Sequence, residues 1–566
     1  MLRLMSAQSI LYALTDGAMR ALTQDLSIAD KTRIAEHLAD QRLSDLPDKI
    51  ANAKPVACTG EAARFDMGAP PVWPGWGLTR SNTRHIDAST TSINRSNVEN
   101  LKLKWAFTFP EALRVRSQPA LAGGALIVGS HNGRVYALDE ETACVRWSFQ
   151  ATADVRNGIV VSPWQPGDTD AQPLAFFGDL LGYVYAVDAR SGELVWRDRP
   201  DSHPNATMTG APTLYNDTLF VPVSSLEVIS TGNPKYVCCT FRGSVVAYQA
   251  STGQQLWQTY SVAEAPAPKG VTSAGTTRLG PSGAPIWNSP AVDEARGQIL
   301  FGTGENYSSP ATGTSDSIFA VDMQTGAVNW VFQGTEGDAW NSACSRIEKG
   351  PNCPEEDGPD VDFGAGATLA TTSSGRDLVV AGQKSGNVFA IDPASGKQVW
   401  KTRVGRGSLS GGVHFGLAIA GDRVYVPIAD LLDGSDFPGE RHPGLHALDL
   451  ETGKILWRSP MEDRCNGRDF CVPGISVAAT ATDDLVFAGG LDGWMRIYDA
   501  ATGAVLWEYD TTASFTGASG PAGSGGAIGG GAAAIAHGDT LYVSSGYGFA
   551  GMMPGNVLLA FELEGP

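Results

Sequence analysis

Residues 182–196 read GYVYAVDARSGELVW, and the same phrase returns along the chain. The other copies are Gly133–Trp147 (GRVYALDEETACVRW), Gly243–Trp257 (GSVVAYQASTGQQLW), Asp316–Trp330 (DSIFAVDMQTGAVNW), Gly386–Trp400 (GNVFAIDPASGKQVW), Pro443–Trp457 (PGLHALDLETGKILW) and Gly493–Trp507 (GWMRIYDAATGAVLW). In the first-quoted copy, Tyr183–Val187 has the aromatic and β-branched make-up of a buried strand. Asp188 opens a turn with a side chain able to bond the backbone ahead, and Gly192 tolerates the positive φ of a tight reversal. Glu193–Trp196 begins the return strand. A tryptophan closing every copy at one spacing reads as a wedge against the neighbouring unit.

Repeats of this length describe one β unit used many times. The room between copies suits four short strands with loops, and the copies ending at Trp257, Trp330 and Trp400 are set furthest apart. Such an array predicts an all-β fold, an eight-bladed β-propeller with tryptophan-docking repeats. The eighth blade is split. Asn556–Glu562 (NVLLAFE) is the inner half of a phrase the chain never finishes, and Leu101–Phe109 (LKLKWAFTF) is its missing last strand, with Trp105 in the docking place. Joining the two ends removes open sheet edges.

The 566 residues can bury a large core, and 67 glycines, 33 prolines and 14 tryptophans fit many turns and wedges. No apolar run reaches membrane-spanning length. A net charge of −19 argues against nucleic acid and anionic membranes as partners. Of eight cysteines, Cys344 and Cys353 bracket one loop, Cys465 and Cys471 another, Cys238 and Cys239 are adjacent, and Cys58 and Cys144 remain as a long-range pair. Even number and loop bracketing favour disulfides over reduced thiols, hence a periplasmic or secreted protein. Met1–Asp16 does not read as a signal peptide, because it lacks an uninterrupted apolar stretch and a small-residue cleavage site.

Residues 1–50 stand outside the repeat. Ala7–Leu14 and Ile28–Leu38 have helical periodicity, with Ser27 as an N-cap, so a short α-helical N-terminal segment is expected. The text LYALTDGAMRALTQDLSIADKTRIAEHLAD resembles the last part of a class I cytochrome c domain, with Met19 where that family has an axial haem ligand. The chain has no C-x-x-C-H, so haem is not predicted, and the resemblance implies a haem domain whose front lies outside this sequence. Residues 51–74, with four prolines, read as a linker, and 75–566 as the propeller.

The phrase A-x-D-x-x-T-G-x-x-x-W in eight blades resembles the quinoprotein alcohol dehydrogenases, whose members carry pyrroloquinoline quinone (PQQ) and calcium at the mouth of the channel. Outer-membrane assembly propellers share similar repeats, so the case for an enzyme rests on residues between the phrases. The resemblance implies Glu305 of GTGEN and Glu227 of VSSLE as metal ligands, with Ser224 as a cofactor contact. It implies Trp287 of APIWNSP as the floor beneath PQQ and Thr209 of MTGAP as a further contact. Two carboxylates with quinone oxygens suit calcium, a hard cation. The segment Asp360–Gly364 (DVDFG) is similar to the one bearing the family's base; Asp362 takes that role and the metal, with Asp360 as second choice. Lanthanide-using relatives carry an Asp where Gly364 stands, which implies calcium here.

Lys384 of GQKSG matches the cation that bonds the quinone oxygens. Arg156 and Arg116 match partners for PQQ carboxylates, Arg116 standing equally well as a surface ion pair. In methanol-type members an adjacent-cysteine disulfide caps PQQ; Cys238-Cys239 lies one unit later, so it either reaches the cofactor from another blade or stiffens a loop. His414 and Phe415 of GGVHFGLA either line the site or pack an inner strand. Several texts, including YVCCTFRGSVVA and NCPEEDGPDVDFGA, are most similar to the polyvinyl alcohol dehydrogenases. The implied activity is PQQ- and calcium-dependent oxidation of secondary alcohols in a hydroxylated polymer, with cytochrome c as acceptor. A small alcohol or sugar as substrate, and a PQQ-free interaction platform, are the rival readings.

Overall fold

The computed structural model describes residues 7–15, 23, 25–39, 55–345, 348–433, 437–517 and 522–564; Met19 lies outside them. Eight antiparallel sheets form a propeller, one per repeat unit. Blade 1 spans residues 120–150, blade 2 160–198, blade 3 206–260, blade 4 291–333, blade 5 367–403, blade 6 418–460 and blade 7 480–510. Blade 8 is built from both ends of the chain: Leu101–Thr108 pairs antiparallel with Val557–Leu563, setting Trp105 opposite Ala560.

The phrase explains the packing between blades. Trp147 donates its indole N–H to the Ala189 carbonyl of the next blade at 3.0 Å, and Trp105 to Glu140 at 3.1 Å. The same bond recurs from Trp196, Trp257, Trp330, Trp400 and Trp457. Apart from Trp105, whose following phrase has Ala143 at that place, each ring lies on the turn glycine of the following phrase. A Cβ at Gly192 would stand 2.5 Å from Trp147, and one at Gly503 2.5 Å from Trp457; φ is +74° at both. The turn glycine is therefore needed twice, for its backbone angle and for the neighbour's indole. Four disulfides form, Cys58–Cys144, Cys238–Cys239, Cys344–Cys353 and Cys465–Cys471.

A strap of residues 73–91 visits all eight blades in order. Trp73 bridges Leu121 of blade 1, and Val161 of blade 2 donates to the Pro74 carbonyl. The Arg80 guanidinium lies 5.2 Å from the Tyr215 ring of blade 3. Val292, Leu369 and Ile419 of blades 4, 5 and 6 donate to Arg80, Ser81 and Thr83. His85 bridges Ala481 of blade 7, and Thr91 bridges Gly538 of blade 8. Arg84 anchors this ring: it is fully buried and donates to the carbonyls of Ala479 and Trp76, to Gln118 and to Thr480. Burial pushes its guanidinium down to about 9. Arg84→Met leaves those acceptors unmet, and we expect it to lower the unfolding free energy by about 3 kcal/mol, read by urea denaturation.

The helices Ala7–Thr15 and Ile28–Ala39 pack on each other through Ala7, Ile10, Leu14, Ala35 and Ala39. The same cluster includes Ala153, Leu180 and Leu226 of the propeller. No described helix is long and apolar enough to cross a membrane.

Candidate active site

The loops that enter the innermost strands converge on one cavity of ≈ 240 Å³. Arg116, Arg156, Thr209, Trp287, Asp360, Asp362, His414 and Phe415 come from these entry loops. Ser224, Glu305 and Lys384 come from the far ends of second strands. Except for Glu227 and the Cys238–Cys239 pair, every site residue expected from sequence lines this cavity.

The acidic side is built by close backbone approach. Glycine at 304 lets the Glu305 loop touch Asp362: a Cβ there would lie 2.8 Å from Asp362 Oδ1. The Glu305 N–H donates to Asp362 Oδ1 at 3.1 Å and the Trp287 indole to Oδ2 at 2.8 Å. Glu305, Asp360 and Asp362 each offer an oxygen within 4.8 Å of the others, and all three are buried. Lys384 Nζ sits 2.7 Å from Asp360 Oδ1 and 3.1 Å from Asp362 Oδ2. Burial, then the charges of Asp362 and Asp360, drives the Glu305 carboxyl well above its usual range. Burial also works to raise Asp362, but the Lys384 ammonium and hydrogen bonds from Glu305 and Lys384 outweigh it, leaving Asp362 below the usual range. Burial and the charges around it act oppositely on Lys384, and the carboxylates win, holding it firmly protonated.

Across the cavity stand the arginines. Arg156 donates to Thr209 Oγ1 at 2.6 Å, and Arg116 pairs with Asp154 at 3.1 Å. Phe549 lies under Arg116, 5.0 Å from its guanidinium carbon. Burial, with Arg116 nearby, pushes Arg156 down to about 9. His414 and Phe415 meet the Trp287 ring edge-on, each 5.7 Å away. Burial and Lys384 push His414 down to about 3, so this ring is neutral at working pH.

The structure does not bring Glu227 to the other carboxylates. It is fully buried, and its oxygens accept from the N–H groups of Thr240 (3.0 Å) and Phe241 (2.9 Å) and from the Tyr236 hydroxyl (2.9 Å). These donors turn the carboxylate away from the cavity. Cys238 and Cys239 also sit behind the wall, their sulfurs 4.0 and 3.9 Å from the Tyr307 carbonyl. The Tyr307 residue separates them from the cavity it lines. Sequence reading missed Trp76, Tyr307, Trp340, Tyr547 and Phe549, which supply much of the aromatic wall. Trp76 stands in WPGWG of the strap, and its indole donates to Gly531 at 2.9 Å. A tryptophan outside the repeat register was the available signal.

Residues 73–345 match the PQQ model, the glucose/ethanol/alcohol dehydrogenase β-propeller domain, and 384–556 match that of the outer membrane protein assembly factor BamB. A polyvinylalcohol dehydrogenase of Pseudomonas sp. is 35% identical over 583 residues, covering 99% of this chain and 89% of that protein. The chain belongs to the quinoprotein alcohol dehydrogenases. Within that family, a second polyvinylalcohol dehydrogenase, from a Sphingopyxis strain, is 33% identical across 99% of this chain and 88% of its own length. Among solved structures, a quinohemoprotein alcohol dehydrogenase of Pseudomonas putida superposes with a TM-score of 0.62 at 20% identity, covering 90% of this chain and 83% of that one. A europium-containing methanol dehydrogenase gives 0.60 at 19%, covering 88% and 98%. Both share the fold. As a quinoprotein, this chain is an oxidoreductase acting on alcohols.

Proposed function

We propose that this quinoprotein oxidises secondary alcohol groups of a hydroxylated polymer, polyvinyl alcohol, using PQQ and calcium and delivering electrons to a cytochrome c. One observation carries the reading: a cationic, aromatic-walled cavity faces three buried carboxylates that have a single lysine directly paired among them. The donor set fits both groups. Hard carboxylate oxygens in excess of nearby cations suit a divalent ion. Two guanidinium groups opposite a flat indole suit a planar polyanion. Bound there, PQQ supplies the electron acceptor and calcium the electrophile that polarises it.

The chain's own residues divide the remaining work. Glu305, Asp360 and Asp362 offer the oxygens for the cation; Arg116, Arg156, Thr209 and Ser224 hold carboxylates; Trp287 is the floor. Glu227 joins the cation only if it gives up the backbone N–H groups of residues 240 and 241. Asp362, kept ionised by Lys384, takes the proton from the substrate hydroxyl. Lys384 then offsets negative charge arising beside it. His414, neutral and hydrogen-bonded to Ser476 at 2.8 Å, shapes the wall without carrying charge. We place the protein in the periplasm or outside the cell, a reading supported by its four disulfides. The helices packed beside Leu226 are read as the tail of a cytochrome c domain.

The test is turnover of the reconstituted chain with a dye acceptor on polyvinyl alcohol, 2-propanol and glucose at equal hydroxyl concentration. Faster oxidation of the polymer supports the reading. A preference for 2-propanol or glucose overturns the polymer and leaves the dehydrogenase.

A further inference from the structure

Behind the three cavity carboxylates lie two acids that do not line the cavity. Asp338 and Asp316 are both fully buried. Asp338 Oδ1 accepts the Asp360 N–H at 3.3 Å, and Oδ2 accepts the Val361 N–H at 3.0 Å. Its main-chain carbonyl accepts the Asn306 N–H at 3.1 Å. One residue thus holds the segment just after Glu305 and the segment just before Asp362. The fit is tight: a Cβ at Gly358 would stand 2.2 Å from Asp338 Oδ1.

Asp316 opens the blade-4 phrase, where five of the other six copies begin with glycine; its φ is +46°, a backbone angle that suits glycine better. Its N–H donates to the Gly304 carbonyl at 3.0 Å, next to Glu305. Neither carboxyl oxygen meets an N–H or a hydroxyl among the described residues. The group they face is the Asp338 carboxyl, with which Asp316 makes a side-chain hydrogen bond. Two carboxyl groups bonded side by side need a proton between them. Both Asp338 oxygens already face backbone donors, so the hydrogen belongs to Asp316.

We propose that Asp338 and Asp316 are positioning residues: a buried acid pair that clamps the Glu305 and Asp360–Asp362 loops at the spacing a cation requires. The inference rests on the metal role assigned above. The loop carrying Asp357 and Asp360 at positive φ has no strand partner of its own, so a fixed acceptor behind it sets where its carboxylates point. Partners of this kind orient first ligands and govern affinity without touching the metal.

The test titrates the full chain, free of PQQ, with terbium(III) alone and reads luminescence sensitised by Trp287, whose indole bonds Asp362. Asp338→Asn is expected to weaken terbium binding about 10- to 100-fold, because its amide N–H₂ must face one of two backbone donors. Asp316→Ala is expected to weaken it comparably. Asp316→Asn is expected to recover most of that loss, since an amide donates the hydrogen bond that the shared proton now makes. Thermal melts establish that each variant is folded; should Asp338→Asn not fold, the two Asp316 variants carry the comparison. Binding by Asp338→Asn within about twofold of the parent overturns the clamp, as does Asp316→Asn binding no better than Asp316→Ala. A parent chain that binds no terbium overturns the metal reading and the clamp with it; a binding parent with indifferent variants overturns the clamp alone.

Discussion

Asp362→Asn is expected to abolish alcohol oxidation while leaving the propeller folded, with turnover falling about 10²- to 10⁴-fold in chain supplied with PQQ and calcium. Three groups donate to this carboxylate: the Trp287 indole at 2.8 Å, the Glu305 N–H at 3.1 Å and Lys384 at 3.1 Å. Such a set favours the ionised form, and an asparagine of the same shape cannot take a proton. The pH profile should carry the same signature. Burial alone would raise Asp362, but Lys384 and the hydrogen bonds hold it below the usual carboxylate range. The base is therefore already ionised at neutral pH, and activity should stay level as pH falls to about 5. Lys384→Met removes the cation, lets the carboxyl rise and moves the acid limb to higher pH. Retention of a tenth or more of the turnover by Asp362→Asn would rule out its role as base.

Gly364→Ala is the second large effect. A Cβ at this position would lie 1.8 Å from the outermost carbon of the Trp287 ring and 2.3 Å from the next. The ring cannot retreat freely, because its N–H is tied to Asp362 and its faces and edges meet Lys384, His414 and Phe415. Displacement therefore goes into the cavity. Overpacking of this kind costs about 1–3 kcal/mol of stability, and a shift of about 1 Å in a positioning group costs about 10²-fold in rate. The expected result is weaker PQQ binding and slower turnover together, measured by cofactor titration and dye reduction. Gly313→Ala is the control, since a methyl there meets nothing nearer than Gln333 at 4.0 Å. The same contact gives a physical reason why no aspartate stands at 364: this chain fills that space with indole.

The fold was legible because the phrase carries its own packing. Asp, turn glycine and tryptophan each have one partner at a fixed offset, so seven copies specify blades, and Trp105 specifies how the ends join. The cavity was legible in part, wherever a residue's neighbours along the chain also form its surroundings, as in GTGEN or GQKSG. What escaped was set by distant contacts. Glu227 follows the serines of its segment in sequence, yet the backbone N–H groups of residues 240 and 241 capture its carboxylate. Cys238-Cys239 is adjacent to the site, but Tyr307 stands between. The strap has no repeat to announce it. Its bonds to successive blades exist only once the propeller is closed, and periodicity along the sequence cannot report them.

The central claim is that the cavity walled by Trp287, Arg116 and Arg156 is a PQQ site completed by a cation on Glu305, Asp360 and Asp362. Its most direct measurement is a titration of the full chain with PQQ, with and without calcium, followed by quinone absorbance and then by dye reduction on addition of polyvinyl alcohol. The account predicts saturable binding of a single equivalent, tightened by calcium and required for dye reduction. Absence of saturable binding, or binding and turnover indifferent to calcium, would contradict it.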